Sequence, residues 1–267
     1  MPEQPALPQA ALAGLALIAG IALLTWLISL RQRDASLADR AWPAFIGGAA
    51  LVYAVQLPAA GTRGTAMAAL AIAWALRLGL YITLRNRGHG EDRRYRQMRE
   101  RNQPHFGLRS LYLVFGLQAL LAWIVTAPLL AGMAAMRPFG WLDATGTALA
   151  AFGIVFEAIA DAQMARFKSM PGQRGRVMDR GLWHYSRHPN YFGEACVWWG
   201  LWLMAVAGAG WGGAWAAVSP ALMTLLLLRV SGVSLLEKDI AERRPAYRDY
   251  VARTNAFLPG PPRKEPA

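Results

Sequence analysis

Residues 11–30 read ALAGLALIAGIALLTWLISL, twenty positions without one charged side chain. A core helix of a water-soluble protein keeps a polar face, and this stretch has none. At about 1.5 Å per residue it covers a hydrocarbon layer about 30 Å thick, so it reads as a membrane span. The same texture repeats outward from it, with long apolar blocks separated by short basic connectors. Of the 267 residues, 55% are hydrophobic and only 16% are charged, which excludes a disordered or collagen-like chain. The single cysteine, Cys196, excludes an intrachain disulfide and a cysteine-rich zinc site. Residues 1–9 carry no Lys or Arg, whereas a secretory signal begins with a basic region. The first block is therefore expected to stay as a permanent span.

Hydropathy predicts seven transmembrane helices, near 11–30, 43–60, 65–84, 111–132, 144–163, 193–208 and 212–235. The last two are separated by Gly208, Gly210, Gly212 and Gly213 and are expected to form a hairpin. The formal charge of +12 would suggest nucleic acid in a soluble chain, but here it follows the connectors. Of the 28 Lys and Arg, 25 fall in the 31–42, 85–110 and 164–192 loops and in the tail from Arg229. Two, Arg63 and Arg137, fall in the connectors of the opposite side, and Arg77 lies inside the third span. Basic loops stay in the cytoplasm, so the expected architecture is an all-α, polytopic seven-helix domain over residues 1–258. Its N-terminus would lie outside and its C-terminus in the cytoplasm of a cell inner membrane. Residues 259–267 form a Pro-rich charged tail expected to be mobile. Connectors under about 40 residues leave no room for a soluble domain, and no internal repeat is visible.

A charge facing lipid at mid-helix costs roughly 3 kcal/mol, so ionisable residues inside spans point to function. Glu157 and Asp161, at i and i+4 near the basic end of the fifth span, share one helical face with Gln163 beside them. They read either as an interfacial pair that neutralises nearby arginines or as the polar wall of a cavity. Arg77 requires either a carboxylate partner, with Glu157 and Asp161 as candidates, or an anionic ligand. The run Tyr185-Ser186-Arg187-His188-Pro189-Asn190-Tyr191-Phe192-Gly193-Glu194 is the densest polar and aromatic cluster. Pro189 and Asn190 suit the start of a helix, where free backbone N–H groups favour anions. With Arg187 and His188 beside it, this start reads either as a phosphate site or as a lipid-headgroup anchor. His89, His105 and His184 lie in loops without metal-ligand spacing, and no metal is expected. The tryptophans, Trp198 and Trp199 included, read as interfacial belt or packing.

The stretch Gly181-Leu182-Trp183-His184-Tyr185-Ser186-Arg187-His188-Pro189-Asn190-Tyr191-Phe192-Gly193-Glu194, followed by Trp198-Trp199-Gly200, resembles the C-terminal signature of the steroid 5-alpha-reductase superfamily. It is more similar still to the bacterial branch known as DUF1295. Other segments fit that branch: Trp74 to Tyr81 with Gly90-Glu91-Asp92-Arg93-Arg94-Tyr95, Phe156 to Gln163, and Leu236-Glu237 with Pro245-Ala246-Tyr247, Tyr250, Thr254 and Phe257. The resemblance implies a seven-helix membrane oxidoreductase acting on a CH–CH group. NADPH would lie in a cavity open to the cytoplasm, and a flat lipophilic enone, steroid-like or another lipid, would enter from the bilayer. Hydride would reach the β-carbon while a hydrogen-bond donor polarises the carbonyl and a proton reaches the α-carbon. By motif position, Asp161, Asn190 and Glu194 would hold the nicotinamide and ribose. Lys168, Arg176, Arg180 and Arg187 would contact phosphates, Tyr185, His188 and Tyr191 would complete the wall, and Glu157 and Glu237 are further cofactor-binding candidates. Glu157 stands where the steroid enzymes often carry Asn.

The substrate end departs further from the resemblance. The steroid enzymes place an acid before Leu-Pro in the second span, and here Gln56 precedes Leu57-Pro58. Gln56 donates a hydrogen bond but supplies no proton, whereas Tyr81, with Trp74 on the same third span, can do both. Gln56, Trp74 and Tyr81 are accordingly the catalytic candidates. Two rival readings stand beside the reductase. A membrane S-adenosylmethionine-dependent methyltransferase shares the Arg-His-Pro-x-Tyr type of run, but its cationic cofactor needs no basic phosphate cradle. A transporter or lipid-binding scaffold would be expected to show an internal repeat. Partners expected beyond the cofactor are a lipophilic substrate and membrane lipids, with no nucleic acid.

Overall fold

The computed structural model describes residues 7–57, 61–173, 175–230, 233 and 246–263. Among them every regular element is a helix. Five helical runs are long and apolar enough to cross a membrane: Leu7–Gln32, Gly61–Arg85, Phe106–Met133, Trp141–Ser169 and Pro189–Arg229. The first four contain the predicted blocks at 11–30, 65–84, 111–132 and 144–163. The predicted second block is the 20-residue helix Leu37–Gln56, which carries Asp39, Arg40 and Pro43 and is not among the five. Pro58, on which part of that prediction fell, lies outside the described residues, as do Leu236, Glu237 and Pro245.

The helices are α1 (Leu7–Gln32), α2 (Leu37–Gln56), α3 (Gly61–Arg85), α4 (Arg93–Arg101), α5 (Phe106–Met133), α6 (Trp141–Ser169), α7 (Leu182–Tyr185), α8 (Pro189–Ala209), α9 (Val218–Leu225) and α10 (Ala246–Arg253). The chain divides into two compact units, Met1–Thr147 with Leu201–Ser219, and Ala148–Gly200 with Pro220–Ala267.

In the first unit α1 wears its large side chains outward. Leu12, Leu23, Leu24 and Leu27 are exposed while Ala10, Gly14, Ile18 and Ala22 are buried. Small residues inside and large ones outside suit a helix whose outer face meets lipid, because close backbone approach replaces the hydrophobic drive between helices. The glycines show that approach. A Cβ on Gly14 would fall 2.6 Å from the Tyr53 ring, one on Gly48 would fall 2.9 Å from Leu17, and one on Gly47 would fall 2.9 Å from Ala75. These contacts bind α2 to both α1 and α3.

Two polar networks fix this unit. At the basic end, Asp39 accepts from Arg94 (2.8 Å), the Tyr95 hydroxyl (2.6 Å) and Gln118 (3.2 Å), which docks α4 on α2 and α5. Burial and the adjacent Asp39 carboxylate push the Tyr95 phenol well above its ordinary range. Glu91 accepts from the Ala35 amide and from Arg99, tying the α1–α2 turn to α4. At the other end, Arg63 and Asp143 form an ion pair at 2.6 Å with both side chains 1% exposed. The apolar pattern places Arg63 in a connector; α3 begins at Gly61, so Arg63 is helical and buried.

The run Pro189–Arg229 has 41 residues, twice what a bilayer requires. In the first unit a Cβ on Gly213 would fall 2.8 Å from the Ala205 carbonyl oxygen. In the second, the Trp199 indole N–H donates to the Thr224 hydroxyl at 3.3 Å. Residues 25 apart in one straight helix would be nearly 40 Å apart. The run therefore folds back through the 3-10 segment Gly210–Ala217, where Gly210 takes a positive φ of 61°. The glycines read from the sequence as a hairpin turn lie in and beside this segment.

Candidate functional site

The second unit is organised by α6. A Cβ on Gly153 would fall 2.5 Å from the Gly193 carbonyl oxygen, and one on Gly193 would fall 2.8 Å from the Glu157 amide nitrogen. Two glycines thus let α6 and α8 touch backbone to backbone. Further along α6, the Trp183 indole donates to the Ala160 carbonyl at 3.0 Å and the Gln163 side-chain oxygen accepts from the Leu182 amide at 2.9 Å. Gly181 has a φ of +61°, and a Cβ there would fall 2.6 Å from Gln163. Residues 181–197 consequently run alongside α6 in the opposite direction, from Gln163 back to Gly153.

That alignment places the predicted polar residues on two facing stretches. Glu157 and Asp161 on α6 are buried, at 2% and 4% exposure. Opposite them Arg187, His188 and Glu194 are buried as well, and Asn190 and Tyr191 are half-buried. The His188 and Tyr191 rings stack with centroids 5.3 Å apart and planes 3° from parallel. The Asn190 Oδ1 is buried and has no hydrogen-bond partner among the described residues. A buried amide oxygen without a donor is costly, so this atom suits a ligand N–H. Phe156, Phe192 and Phe257 close one side in edge-to-face contacts at 5.6 and 5.9 Å.

The turn into α8 is built by Ser186. Its hydroxyl donates to the Phe257 carbonyl at 2.8 Å and accepts from the His188 amide at 3.1 Å. The Arg187 amide donates to the Asn255 carbonyl at 2.8 Å, and its guanidinium donates to the carbonyls of Thr254 and Val251. The Tyr250 hydroxyl donates to the Trp183 carbonyl, and burial pushes this phenol above its ordinary range. Gly260 donates to the Tyr185 carbonyl at 3.0 Å, so the described part of the Pro-rich stretch also lies against this turn. Arg187, expected as a phosphate contact, thus also fastens the C-terminal helix α10 to the site loop.

Beyond Asp161, α6 continues to Ser169 and one wall of a cavity of about 480 Å³ lies along it. Gln163, Arg166 and Phe167 form a helical stripe on that wall; Met170, Gln173, Arg176, Asp179 and Arg180 are among the residues that line the rest. Of the predicted phosphate contacts, Arg176 and Arg180 line this cavity, and Lys168 is exposed and is not among its lining residues. Arg166 was missed by sequence reasoning although it sits three residues from Gln163 on the same face. Tyr185, 47% exposed, packs edge-on against His184 at 5.0 Å. Glu237 lies outside the described residues. Among the described residues no group of three metal ligands occurs.

The catalytic candidates belong to the first unit. Trp74 is fully buried; Gln56 is half-buried, and its side-chain oxygen is buried without a hydrogen-bond partner among the described residues. Tyr81 is half-buried, with the Arg85 guanidinium 5.6 Å from its ring centroid.

Against known proteins, the profile of the family described as "Protein of unknown function (DUF1295)" matches residues 25–254. The chain belongs to the DUF1295 family. That match takes in α2 through α10 and the polar site residues from Glu157 to Glu194, and it ends before Asn255, Phe257 and Gly260. An uncharacterized protein of Schizosaccharomyces pombe is 26% identical over 261 residues, covering 88% of this chain and 75% of that protein. No solved structure matches this DUF1295 chain.

The glycine contact supplies the first prediction. Gly153→Ala must displace backbone on both sides, and strain of this kind typically costs about 1–3 kcal/mol. Thermal unfolding in detergent should show a clear fall for Gly153→Ala, while Gly20→Ala, where a Cβ meets nothing within 4 Å, should be neutral. Equal melting of the two variants would contradict the packing of α6 on α8.

Proposed function

We propose that this protein is an NADPH-dependent membrane reductase of a carbon–carbon double bond in a lipophilic enone, related to the steroid 5-alpha-reductase superfamily. The observation that carries the reading is one helix that bears a buried acidic pair and, beyond it, one wall of an arginine-lined cavity. Buried Glu157 and Asp161 face the His188–Glu194 turn, and the same helix continues into an arginine-lined cavity. NADPH supplies a hydride when bound. The chain's own residues bind, orient and exclude water. The Asn190 amide oxygen would accept from a carboxamide N–H, Asp161 and Glu194 would accept from ribose hydroxyls, and Arg176 and Arg180 would offer planar forks to phosphate oxygens. The stacked His188 and Tyr191 rings give a flat wall. Gln56, Trp74 and Tyr81 remain the candidates for the carbonyl end, with Tyr81 the one able to donate a proton.

The reading includes seven spans in a cell inner membrane. To the five qualifying runs it adds α2, and it counts the folded-back run Pro189–Arg229 as two. The basic connectors then all face the cytoplasm. Reporter fusions should place the C-terminus in the cytoplasm; periplasmic activity there would refute the span count.

The activity test uses purified protein with a panel of lipophilic enones. NADPH oxidation dependent on enone is expected, with NADH less effective. Thirteen of the 14 basic residues in loops 85–110 and 164–192 are arginine, suited to a 2′-phosphate. Arg176→Gln and Arg180→Gln should weaken NADPH and leave NADH nearly unchanged. Equal affinities for the two nucleotides would refute the preference, and methyl transfer from S-adenosylmethionine would refute the class.

A further inference from the structure

Among the described residues that line the 480 Å³ cavity are three arginines and one acid, Asp179. An acid in an anion pocket is a liability, since a carboxylate a few ångströms from a phosphate opposes its binding. Asp179 is not left alone. Arg253, which does not line the cavity, donates to it from α10 at 2.6 Å. The placement of Arg253 is itself built. Residues 250–255 are fastened to 183–187 through the Tyr250 hydroxyl and the Arg187 backbone and guanidinium, and the Arg253 carbonyl accepts from the Arg263 amide at 2.8 Å.

We propose that Arg253 is a positioning residue for anion recognition, cancelling the charge of Asp179 so that the arginines set the net charge that the cavity presents to a phosphorylated ligand. The inference rests on the reading of this cavity as a nucleotide-phosphate pocket. Arg253 acts through Asp179 and needs no contact with the ligand. Both partners are about one-third exposed, at 36% and 37%, so water screens the effect and its size is moderate. One uncompensated charge at such a site changes anion affinity by about threefold to tenfold, less at high salt.

The test measures dissociation constants of the full-length protein in detergent for NADPH and for inorganic pyrophosphate, at low and high salt. Arg253→Gln should weaken both by about threefold to tenfold, and Arg253→Lys should stay near wild type. Asp179→Asn, which leaves Arg253 uncompensated, should tighten both by a similar factor. Combining Arg253→Gln with Asp179→Asn should restore wild-type affinity, and all differences should shrink at high salt. A structural role for Arg253 gives no tightening in Asp179→Asn and no rescue, and either result overturns the proposal. So does an unchanged Arg253→Gln, or a wild-type protein that binds neither probe. If Arg253→Gln fails to fold, the tightening expected of Asp179→Asn still decides. If pyrophosphate follows this pattern while NADPH does not bind, the charge compensation stands and the proposed cofactor falls.

Discussion

Replacing Arg63 by Ala is expected to cost about 3–5 kcal/mol of stability, the range for a buried ion pair that loses one member. The Arg63 guanidinium meets Asp143 through two bonds, at 2.6 and 2.8 Å. It also donates to the carbonyls of Arg137 at 2.8 Å and Pro138 at 3.0 Å. Asp143 in turn accepts from the Gly140 amide at 2.9 Å. Truncating Arg63 leaves a buried carboxylate and two carbonyls short of donors, and each is expensive where water is excluded. In detergent the unfolding midpoint should fall on the order of 10 °C. Arg63→Lys keeps the charge but loses the planar fork, so it should fall between the two. A wild-type midpoint for Arg63→Ala would show that the pair contributes nothing.

The second large effect is expected on ligand affinity. Asn190→Ala and Glu194→Gln should each weaken NADPH binding by about tenfold or more while the protein remains folded. The loss of one buried hydrogen bond to a ligand is worth about 1–3 kcal/mol, and about 1.4 kcal/mol is a factor of ten. Asn190 has the sharper expectation, because its buried Oδ1 has no partner among the described residues. Removing it leaves no protein donor stranded, so its loss should appear in binding and not in melting. Unchanged NADPH affinity in a well-folded Asn190→Ala protein would count against the site.

How much of this was legible in the sequence depends on whether the signal was local. The all-helical architecture was, because residues 11–30 and the blocks like them state their environment by composition alone. So was the turn at 208–213, since clustered glycines break a helix wherever they fall. The facing of Glu157 and Asp161 with the 187–194 turn was implied by the family resemblance alone, and its cause was hidden. Gly153 and Gly193 are ordinary letters 40 positions apart, and only their contact makes them a pair. Arg63 and Asp143 failed for a different reason. They were two opposite charges in connectors nearly free of charge, and that signal was available. Placing Arg63 in a connector concealed it, because α3 begins at Gly61, four residues earlier than the apolar pattern implied. The link from α10 to the site loop was not legible at all, since most of its bonds end on backbone carbonyls, which carry no sequence signature.

The central claim is that the second unit holds a phosphorylated nicotinamide cofactor. Its most direct test is equilibrium binding of NADPH and of S-adenosylmethionine to the same purified full-length protein, with Asn190→Ala as the control. Saturable NADPH binding that Asn190→Ala weakens, and no saturable S-adenosylmethionine binding, is the predicted result. Saturation by S-adenosylmethionine, or by neither, would contradict it.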